Sequence, residues 1–584
     1  MRIDEQTLES LLVATLVGLA GCAGTVEPAD EGIVPGDDTG AGDDDDDDDD
    51  DDDGTGDDDD DDDDDADDDA DDDDDDDGMS TCDGPPGSCD CDDGEVTSVC
   101  LCGANEVDGG FCCGGILQEG ACGEDPTLAF PGVEGFGAHA SGGRGGQVIK
   151  VTTLDATGPG SLDEALRAQG PRIVVFDVAG VINADLEITS PDVTIAGQTA
   201  PGAGVTIVGH LWAPFSNPDE ACKSQCATSP VGNLVMRHLR VRHVCRPGMS
   251  DNQCDTMRLS SQWSFVLDHM SVAWGIDESL DMWGGAYDWT IQNTTFEHPC
   301  RATTAEGPDT GSPNHAYGII NRRGGHGSLL RTAMLGCRDR NPAFADGPFD
   351  IINTVVYNHQ TGVTHHNPPS GDFAIVGNYY KWGPAGGVGK PFWLSDSIAP
   401  MFYFEDNALQ DQSGEVLVFD DPWATPHGLL GGAEMGNVPA SQQADAAPDY
   451  TGIPGYVAPN VMSSQDTHDV VLDTAGAFPR DIVTRNAIDE ARDQSGEFGF
   501  PIRTQLDANG NPMGGEHPLM DGLVAAEAPT DTDGDGLPDA WETEHDLDPN
   551  DPSDNQQVLT GTGYPAIESY INERAALLLY GTDA

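Results

Sequence analysis

Between residues 127 and 410 the chain returns again and again to short runs of β-branched and aromatic residues. They are Ile173-Val174-Val175-Phe176, Val193-Thr194-Ile195, Val205-Thr206-Ile207, Leu234-Val235-Met236, Phe265-Val266-Leu267, Trp289-Thr290-Ile291, Ser328-Leu329-Leu330, Ile351-Ile352 and Phe373-Ala374-Ile375. The later runs start 22–24 residues apart where no insertion intervenes and 29–39 apart elsewhere, with 209–230 and 299–325 as insertions. Each run is too short for a core helix and gives way to polar or turn residues such as Gly197-Gln198 and Asn378-Tyr379. A repeat unit of this size cannot bury its apolar face alone, so units must stack, with insertions growing out as loops. The reading is all-β, a right-handed parallel β-helix over 127–525 whose long loops build a groove. A β-sandwich would also supply short strands, but its loops would not be so evenly spaced. Ser161-Leu162-Asp163-Glu164 is a capping box opening onto Ala165, Leu166 and Ala168, which predicts an N-terminal helix covering the open first coil.

Charge narrows the partners. The formal net charge is −83, and 32 aspartates lie between Asp37 and Asp77 with no Lys or Arg among them. The whole chain holds four lysines. Such a surface excludes nucleic acid, whose phosphates need clustered Lys and Arg. An acidic partner must be met through bound cations or local arginines. Residues 23–79 have few apolar residues to offset ordering entropy and read as a disordered poly-Asp linker, a plain spacer, with a loose calcium reservoir as the alternative.

Leu11 to Ala20 is an apolar run too short to span a bilayer and suited to a signal-peptide core. It ends in Leu19-Ala20-Gly21-Cys22, similar to a bacterial lipobox, so residues 1–22 read as a lipoprotein-type signal and the protein as exported, anchored by lipid at the cell surface. An ordinary secretory signal is the alternative. The other 14 cysteines fall as eight between Cys82 and Cys122 and six between Cys222 and Cys337, even counts that predict disulfides in an exported chain. Residues 80–124, too short to bury a core, form a module that needs such staples.

The segment 526–584 contains DTDGDGLPDAWE at 531–542. Asp531, Asp533, Asp535, the Leu537 carbonyl, Asp539 and Glu542 fall at positions 1, 3, 5, 7, 9 and 12 of a calcium loop, with Gly536 at the sharp turn. Carboxylate oxygens spaced two apart wrap a hard cation, and the expected role is structural. A solvated acidic turn explains neither the glycine nor the terminal glutamate.

The stretch FPGVEGFGAHASGGRGGQVIKVTTLDATGPGSLDEALRAQGPRIVVFDVAGVI (130–182), followed by VTIAGQTAPGAGVTI, resembles the pectate lyase family of parallel β-helix lyases, especially its bacterial branch with a C-terminal calcium segment. The resemblance implies a calcium-dependent β-elimination on polygalacturonate by a monomer. A base takes the proton α to the uronate carboxylate while a cation offsets the charge that develops. It also implies where those groups lie. In CDTMRLSSQWSFVLDHMSVAWGIDESLDMW, Asp255 matches an acidic ligand, and IDESLD supplies Asp277, Glu278 and Asp281. Asp268-His269 matches the family's DH segment, with strand support an equal alternative to a direct role. The family often has a second aspartate before the first; here that position is Gln253.

In the segment 326–358, Arg340-Asn341-Pro342 and the Asn353 to Asn358 stretch match the family's arginine-x-proline and asparagine-tyrosine pattern. Arg340 is the expected base, Arg338 the fallback and His315 the next candidate; a surface salt bridge is the bland reading of the arginine. The family's downstream second arginine is replaced by Ala343-Phe344-Ala345, and no lysine occurs between Lys223 and Lys381, leaving His315 or Arg322-Arg323 as stand-ins. Two other readings remain open: a surface protein that binds polysaccharide without cleaving it, and a calcium-free lyase of methyl-esterified pectin.

Overall fold

The computed structural model describes residues 127–214, 231–243, 254–301, 315–322, 324–384, 390–394, 401–419, 442–496 and 519–581, besides short strands within 100–118 and at 500–501. The signal, the linker and most of both long insertions lie outside the described residues. Of the Cys-rich module, three short strands are described, Cys100–Leu101, Phe111–Cys113 and Ile116–Gln118, paired antiparallel in one sheet.

From Gln147 onward the chain winds through three sheets in turn. One coil runs through Val193–Ala196 in the first sheet, Val205–Val208 in the second and Leu211–Trp212 in the third before Leu234–Arg237 resumes the first sheet. The first two sheets have ten strands each and the third has eight. The pairing is parallel between successive coils until Val416–Phe419 folds back antiparallel on Asn407–Gln410. This is the right-handed parallel β-helix expected from the repeats. Eight of the nine apolar runs are first-sheet strands, whereas Val205–Ile207 belongs to the second sheet, so two of the runs share one coil.

Stacking at a constant strand spacing puts like residues over like. Phe373 and Phe402, in register on neighbouring first-sheet strands, stack inside the coils at a centroid separation of 5.2 Å. At the turn between the first and second sheets, Asn378 Nδ2 donates to the Ile351 carbonyl and Asn407 Nδ2 to the Ile375 carbonyl, 2.8 Å each. The amide side chains thereby tie each turn to a strand carbonyl of the preceding coil.

The expected capping helix is α1, Leu162–Arg167, with the Ser161 hydroxyl accepting from Glu164 N and Leu162, Ala165 and Leu166 in the main core. The buried Arg172 guanidinium donates to the Ala165 and Leu166 carbonyls, groups a helix C-terminus leaves unpaired. The glycine-rich stretch before it lies flat on the outer face of the first sheet. A Cβ on Gly137 would stand 2.4 Å from the Phe265 carbonyl oxygen. That approach lets Gly137 N donate to Thr290 Oγ1 and Gly143 N to Thr194 Oγ1.

Two helices, α2 (Ser464–Thr474) and α3 (Ile482–Asp493), cover the second sheet through Val471, Leu472, Ile488 and Ala491. Asp481, the N-cap of α3, meets Arg242 in a pair with no exposed side-chain surface, joined by Glu297. Burial alone would raise the Asp481 carboxyl, but Arg242 and Arg240 hold it below its ordinary value. The helices α4 (Asp539–Glu544) and α5 (Ala566–Tyr580) sit on the first sheet, where Leu537, Ile567 and Tyr570 pack on Ile173, Val175 and Ala196.

One expectation needs correction. Pairing of all six cysteines between Cys222 and Cys337 fails at Cys337, a free thiol buried in the main core; Cys254 is disulfide-bonded. Cys337 points inward, where apolar packing suits a thiol, and its Sγ lies 3.7 Å from the Phe296 carbonyl oxygen.

Candidate active site

The third sheet carries the candidate chemistry at the leading ends of consecutive strands. Leu280 pairs with Met257 and Glu278 with Tyr317, and Tyr317 bridges to Asp339. Residues far apart in sequence thus become neighbours: Asp255 before Met257–Arg258, Asp277 before Glu278–Asp281, His315 before Tyr317–Asn321, and Arg340 before Ala343–Asp346.

Asp255, Asp277 and Glu278 present carboxylate oxygens that all lie within 4.8 Å of one another, and all three residues are buried. Glu278 N donates to Asp255 Oδ1 at 3.1 Å, which orients the Asp255 carboxylate. Burial, then the charge of Asp281, push the Asp255 carboxyl well above its ordinary range, against the pull of Arg258. Buried carboxylates that repel one another are the donor set a hard divalent cation relieves, so these residues fit calcium.

Asp281, expected in the same set, is engaged otherwise. Arg258 stands between it and Asp255, with Nε 2.7 Å from Asp281 Oδ2 and Nη2 2.7 Å from Asp255 Oδ2. Trp283 N and the Ser260 hydroxyl take the other Asp281 oxygen. Asp281 therefore stands beside the trio, paired with an arginine.

Arg340 Nη1 donates to Glu278 Oε1, and its guanidinium lies 4.1 Å from the Tyr317 ring centroid. Burial lowers its pKa to about 10, although Asp277 and Asp255 pull the other way. Its backbone takes φ +59°, a left-handed conformation costly for a residue with a Cβ. Arg338 turns to its neighbour instead, with Nε 2.6 Å from Asp339 Oδ2. His315 Nδ1 lies 2.9 Å from Asp277 Oδ1, and its ring stacks on Tyr317. Arg322 packs over the exposed Trp283, 4.0 Å from its ring centroid. Arg323 lies outside the described residues.

Asp268 and His269 stay apart from this group, at the end of a first-sheet strand. Asp268 accepts from Arg237, Gln292 and Asn293 and meets His269 Nδ1 at 2.9 Å. Burial would raise its carboxyl, but His269 and Arg237 hold it well below the usual range. These contacts tie the strand ends of neighbouring coils together, and ligand atoms of His238, Asp268 and His269 lie within 4.8 Å of one another.

The C-terminal acidic residues form another group. Oxygens of Asp531, Asp533 and Asp535 lie within 4.8 Å of one another, as do those of Asp535, Glu542 and Asp554. Asp539 lies outside both groups and accepts from Thr532 N and Oγ1 at 2.7 Å each.

The sequence reading passed over three residues here. Tyr317 stands two positions after His315, where strand alternation would have flagged it, and Arg258 stands three after Asp255. Asp554 has no local signal, because it enters from twelve residues beyond the loop.

No protein-family model matches the chain. Among curated proteins it is 34% identical over 451 residues to a "Probable pectate lyase C" of Emericella nidulans, covering 76% of this chain and 92% of that protein. It is likewise 34% identical over 459 residues to the protein of that name from Aspergillus terreus, covering 76% and 93%. Among solved structures, a thermostable pectate lyase matches at TM-score 0.40 and 13% identity, covering 60% of this chain and 98% of that one. With a third of its residues identical across more than nine-tenths of these curated relatives, the chain belongs to the pectate lyase family and is a polysaccharide lyase.

Proposed function

We propose that the protein cleaves polygalacturonate by calcium-assisted β-elimination, with Arg340 as the base. One observation carries the reading: the Arg340 guanidinium reaches the carboxylate of Glu278, a member of the buried acidic trio, from two strands away. Asp255, Asp277 and Glu278 would hold calcium, which supplies neutralisation of the substrate's uronate carboxylate. Arg340, stacked on Tyr317, would act as the neutral guanidine that burial favours, taking the proton from the carbon α to that carboxylate and becoming guanidinium. The electrons of the broken C–H bond form the new C=C bond, and the C–O bond to the leaving sugar breaks with its electron pair, the departing oxygen taking a proton from solvent. Tyr317 fixes the plane of the guanidinium, Glu278 its direction, and Arg258 keeps Asp255 and Asp281 from repelling each other apart.

A second reading, polysaccharide binding without turnover, draws on Ala343, Phe344 and Ala345. All three are buried, which leaves the strand after Arg340 without a second arginine. The purified full chain incubated with polygalacturonate and calcium, followed by the absorbance of the unsaturated product, separates the two. Product that appears only with methyl-esterified pectin, and persists in chelator, overturns both. Export rests on the apolar run Leu11 to Ala20 and Cys22; no described helix is long and apolar enough to cross a membrane.

A further inference from the structure

Five carboxylate oxygens in the C-terminal segment are buried without a hydrogen-bond partner among the described residues: Asp533 Oδ2, Asp535 Oδ2, both oxygens of Glu542, and Asp554 Oδ1. Glu542 has no exposed surface at all. A buried anion with nothing to neutralise it costs several kcal/mol or takes up a proton, so this convergence demands a cation. In each aspartate the other oxygen is held by the backbone. Asp535 N donates to Asp533 Oδ1, Leu537 N to Asp535 Oδ1 and Asp548 N to Asp554 Oδ2. The free oxygens are thereby held in place before any ion arrives.

Asp531 and Asp539, by contrast, are already occupied. Asp531 accepts from Gly534 N and Gly536 N and meets Lys150 Nζ at 2.8 Å. Asp539 is committed to Thr532. The 12-residue spacing and the geometry therefore disagree about the ligands.

We infer that a hard divalent cation of the calcium type is held by Asp535, bidentate Glu542 and Asp554, with the free oxygen of Asp533 completing the set, and that Asp554 takes the part the loop spacing gives to Asp539. Oxygen-only donors and a bidentate glutamate suit calcium, whereas magnesium keeps several waters and near-ideal octahedral geometry. With no His or Cys in the set, zinc has no preferred ligand.

The site joins two parts of the C-terminal segment. Asn555 Nδ2 donates to the Asp535 carbonyl at 2.9 Å, which seats the turn carrying Asp554 against the loop. Lys150 of the strand Gln147–Val151, at the edge of the first sheet, then ties Asp531 to Asp177, and Arg144 pairs with Glu568 of α5. The bound ion would lock the turn onto the loop, and the loop, with α5, onto the first sheet. This inference is independent of the elimination reading, since it concerns a different sheet and is read by binding and melting.

The test is calorimetric titration of the chelator-stripped full chain with calcium, paired with melting curves with and without calcium. Asp554→Asn should lose one calcium-binding event and the calcium-dependent rise in Tm, whereas Asp539→Asn keeps both. The reverse pattern restores the 12-residue ligand set and overturns the inference, and so does an Asp554→Asn protein that titrates like the wild type. Should Asp554→Asn fail to fold, a crystal of the wild type soaked in terbium decides. An anomalous peak in contact with Asp535, Glu542 and Asp554 supports the site, and one on Asp531 and Asp539, or none, rejects it.

Discussion

Arg340 and Glu278, 62 positions apart in sequence, meet guanidinium to carboxylate on the third sheet. The contact gives each a task. The arginine is aimed by a buried carboxylate, and the carboxylate is offset by a cation. Arg340→Lys keeps a charge but loses the planar fork and its stacking on Tyr317. Steady-state rates on polygalacturonate should fall by roughly 10²–10⁴-fold in kcat, the contribution of a positioned base. Arg338→Lys, whose partner is its own neighbour Asp339, should change kcat by less than about tenfold. If Arg338→Lys is the inactive variant and Arg340→Lys the active one, the assignment of the base is off by two residues.

Removing one carboxylate from the trio should show as a calcium effect. Asp277→Asn should raise the calcium concentration for half-maximal rate by at least about tenfold, the usual scale for damage to a metal's ligand environment. Chelator should abolish the wild-type rate and added calcium restore it. A wild-type rate that persists in excess chelator removes Asp255, Asp277 and Glu278 from the metal.

The buried pair of Arg242 and Asp481 fastens α3 to the second sheet. Asp481→Ala removes one of the two carboxylates paired with a guanidinium that has no exposed surface, leaving Glu297 alone, and deletes the helix cap. Denaturant unfolding should show a loss of about 3–5 kcal/mol. Asp163→Ala breaks a partly exposed i,i+4 pair with Arg167 and should cost under about 1 kcal/mol.

Asp350 carries a pH signature. Burial raises its carboxyl from 3.8 to about 7, with bonds from Tyr456 and Ser328 working the other way. The folded state therefore keeps a proton that the unfolded chain gives up. Stability from this group is fully present below pH 3.8 and is lost as pH rises through about 7. Asp350→Asn can still accept both bonds without the charge. It should melt higher than wild type at pH 8, with the gain shrinking toward zero near pH 4. A gain that grows on acidification contradicts the burial argument.

The solenoid was legible in the sequence because its signal is local and repeated. Stacked coils need apolar residues at matching places in every turn, and eight of the runs became strands of one sheet for that reason. The capping box before α1 was legible on the same ground, since a hydroxyl and a backbone N–H three residues apart meet within one helical turn. The identities of Asp255, Asp277, Glu278 and Arg340 as candidates came from their resemblance to a family pattern.

Their grouping was the work of the tertiary structure. Parallel stacking converts separations of about one coil into lateral contacts, and side-chain direction then selects among neighbours. It sends Arg340 to Glu278 and Arg338 to Asp339, binds Asp281 to Arg258, and turns Asp539 away to Thr532. Asp554 joins Asp535 and Glu542 by chain reversal through a turn that no spacing rule encodes. Sequence determined which residues carry charge and which segments repeat. Only the fold decided which charges are buried together, because that depends on the register of strands a full coil apart.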